Sequence, residues 1–199
     1  IDSIENFNKK IISGKEALKK TIGRYEFHFR GLYKKSIFKS KSFRFTEKLL
    51  NADEIVERLI LENVNYIGSC NAVYTHYIFQ NSSAKSFNLK KTDVVITDIF
   101  LRDYFKNLGF YNENKQNFEF VAYKNFINGL KALVFYRKKI NNEDFIFHFS
   151  RLKTSFDNLD KKEILKNYHS FGKIYNKVIL SLSFKKVYLF YILRQTFNK

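Results

Sequence analysis

The chain of 199 residues holds no proline, no methionine and no tryptophan, with one cysteine and only 7 glycines. A single cysteine, Cys70, excludes an internal disulfide and a zinc ribbon, and fits a small buried apolar residue. His28, His76, His148 and His169 show no ligand spacing, so no metal site and no cofactor is expected. The few glycines form no phosphate loop, dinucleotide fingerprint or nucleophile elbow. Acidic residues are scarce and mostly sit beside lysines, as between Asn158 and Glu163, so no pair of catalytic carboxylates stands out and no catalytic residue is assigned. No run of ~18 apolar residues occurs, and the nearest approach, Val178 to Leu193, is interrupted by Lys185-Lys186, so no membrane span is expected. The segment Ile1 to Gly14 is polar and does not read as a signal peptide.

What is present is charge and aromatic bulk. Lys and Arg number 36 against 19 Asp and Glu, a formal net charge of +17. Such an excess repels itself and is relieved by a polyanion. Hydrophobic residues at 45% are enough for a core, and with 23 Phe and 13 Tyr that core must be aromatic. The abundance of Lys, Asn, Ile, Phe and Tyr, with no proline, matches AT-rich codon usage. An organellar genome, a ciliate-like protozoan mitochondrion foremost, is the expected source, with an AT-rich bacterium or an apicoplast as the alternatives. The opening Ile1-Asp2, in a chain without methionine, fits a non-standard start codon or a trimmed terminus.

The residue pattern predicts an α+β fold. Ser3 is placed to cap a first helix carrying Ile4, Phe7 and Ile11, with Gly14 to end it. A basic helical region spans residues 1–50, where Lys34, Lys35, Lys39, Lys41 and Arg44 interleave with Ile37, Phe38, Phe43 and Phe45. Asp53, Ile55, Val56, Arg58, Leu59 and Ile60 open the stretch 51–97 with a helical period, so a helix is expected over Asp53–Leu61. Thr97 or Asp98 is expected to cap a helix bearing Phe100, Tyr104 and Leu108 and closed by Gly109. In the mixed α/β extension, residues 98–199, alternation at Phe118, Phe120 and Ala122 and at Phe145, Phe147 and Phe149 predicts strands. Lys131–Tyr136 is a third expected strand, Val178–Leu193 is β-prone, and Asn141-Asn142 is expected to turn a hairpin. A helix is expected near Asp160–Tyr168.

Two segments carry a family resemblance. Asp53, Ile55, Val56 and Arg58 stand as in the first helix of the S-four RNA-binding domain. Ile78, Asn81 and Ser82 stand as in its strand and turn, and Ser86, Phe87, Asp93, Val94 and Val95 as in its closing strand. The chain departs from that pattern at Ser69-Cys70, Ser82 and Lys91-Thr92. Upstream, Arg24 to Lys34, with Gly31 and Leu32, resembles the segment that precedes this domain in the small-subunit ribosomal protein S-four family. The two segments cover roughly the first half of the chain.

The resemblance implies that residues 51–97 form a small RNA-binding module, with a second helix within Tyr66–Tyr77 and short strands near Ile78–Gln80 and Asp93–Ile96. Together with the composition it implies a non-enzymatic constituent of the small subunit of an organellar ribosome, in the mitochondrial matrix. It implies binding to small-subunit ribosomal RNA beside neighbouring small-subunit proteins, and a part in assembly. The expected RNA-binding residues are Arg24, Arg30, Lys34, Lys35, Lys39, Lys41, Arg44, Arg58, Asn81, Lys85, Lys90 and Lys91. For Arg58 a salt bridge to Glu54 or Glu62 is the other expected role, and the two do not exclude each other. The aromatics of the basic run are assigned to a core and its lysines to RNA. Lys124, Lys131, Arg137, Lys138 and Lys139 are expected to face RNA or an acidic neighbour from the edges of the strands. The alternatives are an S-four-domain RNA-modifying enzyme, such as a pseudouridine synthase, and a basic assembly or peripheral membrane subunit.

Overall fold

The computed structural model describes residues 11–22, 32–39, 52–68, 88–166 and 170–197. Among them the chain is overwhelmingly helical, with one two-stranded sheet. It divides into two compact units, Ile1–Ser82 and Ser83–Lys199.

In the first unit β1 (Ile11–Ser13) leads directly into α1 (Gly14–Lys20). Ser13 makes the switch: its backbone is extended, and its Oγ accepts the Glu16 N–H at 3.1 Å as an N-cap. Next come α2 (Lys35–Lys39), α3 (Ala52–Asn63) and β2 (Tyr66–Gly68), which pairs antiparallel with β1, Ile12 opposite Ile67. Helix α3 covers the span expected to be helical, and its Ile55, Val56, Ile60 and Leu61 are buried, as are Ala17 and Leu18 of α1. Gly14 opens α1 rather than closing a helix. A Cβ there would lie 2.1 Å from the Val64 carbonyl oxygen and 2.3 Å from that of Leu61, so only glycine lets these backbones meet. Tyr66–Gly68, at the start of the span within which a second helix is expected, is β2. Ile11, expected on the helix capped by Ser3, is in β1; residues 1–10 of that helix, residues 69–77 of the span expected to hold the second module helix, and the strand and turn at 78–82 lie outside the described residues.

The second unit is a helical bundle: α4 (Lys91–Asn107), α5 (Tyr111–Tyr136), α6 (Asn142–Asp157), α7 (Lys161–Lys166), α8 (Ser170–Ser181) and α9 (Phe184–Phe197). Helix α5 is its axis and packs against α4, α6, α7 and α9. It buries Phe118, Ala122, Tyr123, Phe126, Leu130 and Leu133, and the core continues through Phe156, Ile179, Phe184 and Val187. Gly109 (φ 78°) closes α4 in a Schellman motif: the Gly109 N–H donates to the Lys106 carbonyl, and the Phe110 N–H to that of Phe105. The rings of Phe105 and Phe110, 6.4 Å apart, supply its apolar contact.

The expected α+β class is therefore corrected. Every strand predicted beyond residue 97 is helix. Alternation at 118–122 is one window of a longer stripe, Phe118, Ala122, Phe126, Leu130 and Leu133, and a helix buried on several faces also looks period-two over six residues. In α6 the alternation hides an i, i+4 pair. Phe145 and Phe149 lie 5.4 Å apart and meet Tyr188, while Phe147 is exposed. Asn141 turns no hairpin. It caps α6, its Oδ1 accepting the Asp144 N–H at 2.8 Å, because asparagine suits both turns and caps. Asp93, Val94 and Val95, the expected closing strand of the S-four-like module, lie in the first turns of α4. That helix also runs through the boundary drawn between residues 97 and 98, and buries the expected caps Thr97 and Asp98.

Candidate nucleic-acid interface

The expected RNA-binding residues fall into three groups, with Arg58 apart from them. Arg24, Arg30, Lys41, Arg44, Asn81 and Lys85 lie outside the described residues. Lys34 and Lys35 are exposed at the start of α2, and Lys39 ends it. Beside them Tyr33 and Phe38 meet edge to face at 6.2 Å, both partly exposed, so these rings are not sealed in a core. Burial and the nearby Glu57 carboxylate push the Tyr33 phenol above its ordinary pKa. In the second unit Lys90 is exposed and Lys91 half-buried where α4 begins.

Arg58 is a correction. It is 2% exposed and forms a salt bridge with Glu54, one turn earlier on α3, while its Nη1 also donates to the Glu54 carbonyl at 2.9 Å. The salt bridge holds the guanidinium inside the unit.

The second unit holds two internal polar networks. Glu119 is fully buried. Its Oε1 accepts from Tyr111 Oη at 2.9 Å and Arg102 Nη1 at 3.2 Å, and its Oε2 from the Asp160 N–H at 2.8 Å. Arg102 also donates to the Asn158 carbonyl at 2.8 Å. One carboxylate thus ties α4 and α5 to the turn before α7. Burial, then the carboxylate of Glu119, push the Tyr111 phenol well above its usual range. The open groove over this network, about 610 Å³, is lined by Arg102, Lys106, Tyr111 and Lys162 among others. Both oxygens of Glu119 are engaged in holding structure, which leaves it unsuited to act as a base.

In the second network the buried Thr92 hydroxyl donates to the Leu89 carbonyl at 2.9 Å and lies 2.6 Å from His148 Nδ1. Arg151 Nη1 pairs with Asp93 at 2.7 Å and stacks its guanidinium 4.5 Å over the Phe147 ring. Thr92 is sealed from solvent, so this threonine–histidine pair cannot serve as a nucleophile and its base. Among the described residues no group of three or more His, Cys, Asp or Glu is placed to hold a metal ion, and no helix is long and apolar enough to cross a membrane.

The geometry that remains is a charge asymmetry. Among the described residues four carboxylates are buried, Glu54, Asp93, Asp98 and Glu119, against one buried cation, Arg58. Asp98 accepts from Asn125 Nδ2 at 2.9 Å, and the other three carry the pairs above. Acids drawn inward no longer offset surface lysines. The effect is strongest on α5 and the turn after it. No acidic residue occurs between Glu119 and Glu143. Lys124, Asn128, Lys131 and Phe135 recur on the outer face of α5, and all are exposed. Lys138 and Lys139 continue the line. Arg137, expected with them, instead stacks 4.2 Å over Phe145. Sequence reading found the lysines but set them on strand edges. It missed Asn128 and Phe135, whose signal was the spacing 124, 128, 131, 135.

No family model, curated protein or solved structure matches the chain.

Proposed function

We propose that the chain is a structural RNA-binding protein, a constituent of a ribonucleoprotein particle rather than an enzyme. The observation that carries this reading is the inward placement of carboxylates in a chain of net charge +17. The outer surface is left more basic than the composition suggests, and such a surface binds a polyanion by releasing its counterions. The exposed Lys34 and Lys35, beside the rings of Tyr33 and Phe38, support it, because cations fix phosphates and neighbouring rings stack on unpaired bases.

The particle we propose is the small subunit of an organellar ribosome, in the mitochondrial matrix, with small-subunit ribosomal RNA and adjoining small-subunit proteins as partners. This finer reading rests on the resemblance of Arg24–Lys34 and Asp53–Arg58. It does not rest on a folded S-four module, since Asp93–Val95 is helical. The test is gradient sedimentation of the tagged chain in an organellar lysate, with and without ribonuclease. Co-sedimentation with small-subunit RNA, abolished by ribonuclease, is the expected result. Sedimentation with the large subunit would keep the RNA-binding reading and remove the small-subunit one. A profile indifferent to ribonuclease would remove both.

A further inference from the structure

We infer that the outer face of α5, continued by the turn after it, is a docking track for an RNA phosphate backbone. The inference rests on the RNA-binding reading above and says where on the second unit the RNA lies. Lys124, Asn128, Lys131 and Phe135 stand four, three and four residues apart, so one face of the helix presents them all. They span about 17 Å of helix axis at 1.5 Å per residue. Lys138 and Lys139 extend the row, in the place where cations also offset the negative end of the helix dipole.

Three observations separate this row from an ordinary solvated face. Surface helices usually interleave both signs of charge at i, i+4, and here the sequence supplies no acid from residue 120 to residue 142. None of the four lysines is paired with a carboxylate among the described residues, whereas Lys115, Lys153 and Lys166 in the same unit are. The row also contains a large ring, Phe135, 44% exposed, and the Lys139 ammonium stands 4.5 Å over it. That ring holds the cation in the row instead of leaving it to roam. A continuous polyanion matches such a line, with phosphates on the lysines and Asn128 donating to a phosphate or ribose oxygen. An acidic protein surface would need carboxylates in a matching row, so RNA is the occupant the geometry favours.

The test uses the full chain and a labelled 20-nucleotide oligouridylate, with binding followed by anisotropy across a salt series. The four-site variant Lys124→Gln, Lys131→Gln, Lys138→Gln and Lys139→Gln is compared with a control, Lys106→Gln, Lys177→Gln, Lys185→Gln and Lys186→Gln. All eight positions are exposed, so both variants should keep the far-ultraviolet spectrum and melting of the parent. The α5 variant should bind at least about tenfold more weakly near 0.1 M salt. Its log–log salt slope should flatten by roughly 2 to 3 units, at about 0.7 for each single-strand phosphate that the variant no longer neutralises. The control should change both far less. Equal losses in the two variants would overturn the track and leave RNA binding as a property of net charge. Tighter binding of polyglutamate than of oligouridylate, relieved by the α5 variant alone, would overturn it in favour of an acidic protein partner. Absence of RNA binding by the parent chain would overturn the RNA reading itself, and the track with it.

Discussion

Glu54 in the first unit and Glu119 in the second are both buried carboxylates with a cationic partner, yet they organise their surroundings at different ranges. Glu54 meets Arg58 one turn away on the same helix. Glu119 gathers Arg102, Tyr111 and the Asp160 N–H, groups separated from it by 17, 8 and 41 residues. The first pair joins neighbouring turns of α3. The second fixes how three elements meet. Burial alone therefore does not tell what a charge does, and the sequence distance between partners does.

Substitution should expose the contrast most sharply at Glu119. Glu119→Ala takes the acceptor from the Tyr111 phenol and the Asp160 N–H and one of three partners from Arg102, which keeps Asp103 and the Asn158 carbonyl, and should cost about 2–3 kcal/mol. Peptide-resolved hydrogen exchange should show reduced protection in α4, α5 and α7, with the first unit unchanged. The local pair should behave otherwise. Glu54→Ala alone leaves Arg58 charged and buried, but Glu54→Leu with Arg58→Leu removes both charges at once and should recover most of the stability. No single companion change should rescue Glu119→Ala, because its partners lie on separate elements. Recovery by one companion would erase the distinction between the two units.

The same division governs what the sequence revealed. The Arg58–Glu54 pair was open to reading because its spacing is one helical turn, and the Gly109 stop because glycine at a helix end has a local cause. Helix α5 was misread because its period is visible only over 16 residues, Phe118 to Leu133, while its strand-like alternation fills five. Glu119 was not legible at all. Its neighbours Phe118 and Phe120 gave no sign that a carboxylate between them faces inward, since its three partners come from elsewhere in the chain. The acid-free stretch after it was plain in composition, and became a surface only when the helix set positions 124, 128, 131 and 135 in line.

Glycine sharpens the comparison at a smaller scale. Gly14→Ala would drive a Cβ into two backbone carbonyls that cannot rotate away, and should cost about 3 kcal/mol, seen as reduced exchange protection in α1 and α3. At Gly129, buried in α5, an added Cβ meets Leu152 Cδ2 and Thr92 Cα at 3.1 Å and the Lys91 carbonyl oxygen at 3.2 Å. There a shift of a few tenths of an ångström makes room, and alanine gains about 1 kcal/mol of helix propensity. Gly129→Ala should therefore change stability by less than about 1 kcal/mol. A larger destabilisation than at Gly14 would mean that α5 tolerates less than the first unit does.

The smallest effect should come from the Thr92–His148 contact, which spans 56 residues and again belongs to the long-range kind. Burial lowers the His148 pKa below its ordinary 6.5; the carboxylates of Asp93 and Asp144 oppose that shift and the Arg151 guanidinium reinforces it. Below pH 6.5 the unfolded chain therefore binds a proton that the folded chain resists. The stability this histidine contributes is complete above that pH, falls as the pH drops, and levels off once the folded-state pKa has been passed. The ring is only partly buried, so the change should be modest. Asp160, whose carboxyl is held below its ordinary 3.8 chiefly by its hydrogen bond from Lys115, titrates in a lower range and does not mask it. Stability of the second unit measured from about pH 7.5 to 5 should decline in the parent chain. The decline should be shallower in His148→Gln, which keeps a hydrogen-bonding side chain near Thr92 but cannot titrate. Equal declines in the two proteins would mean that His148 and Thr92 are neighbours without pH-linked coupling.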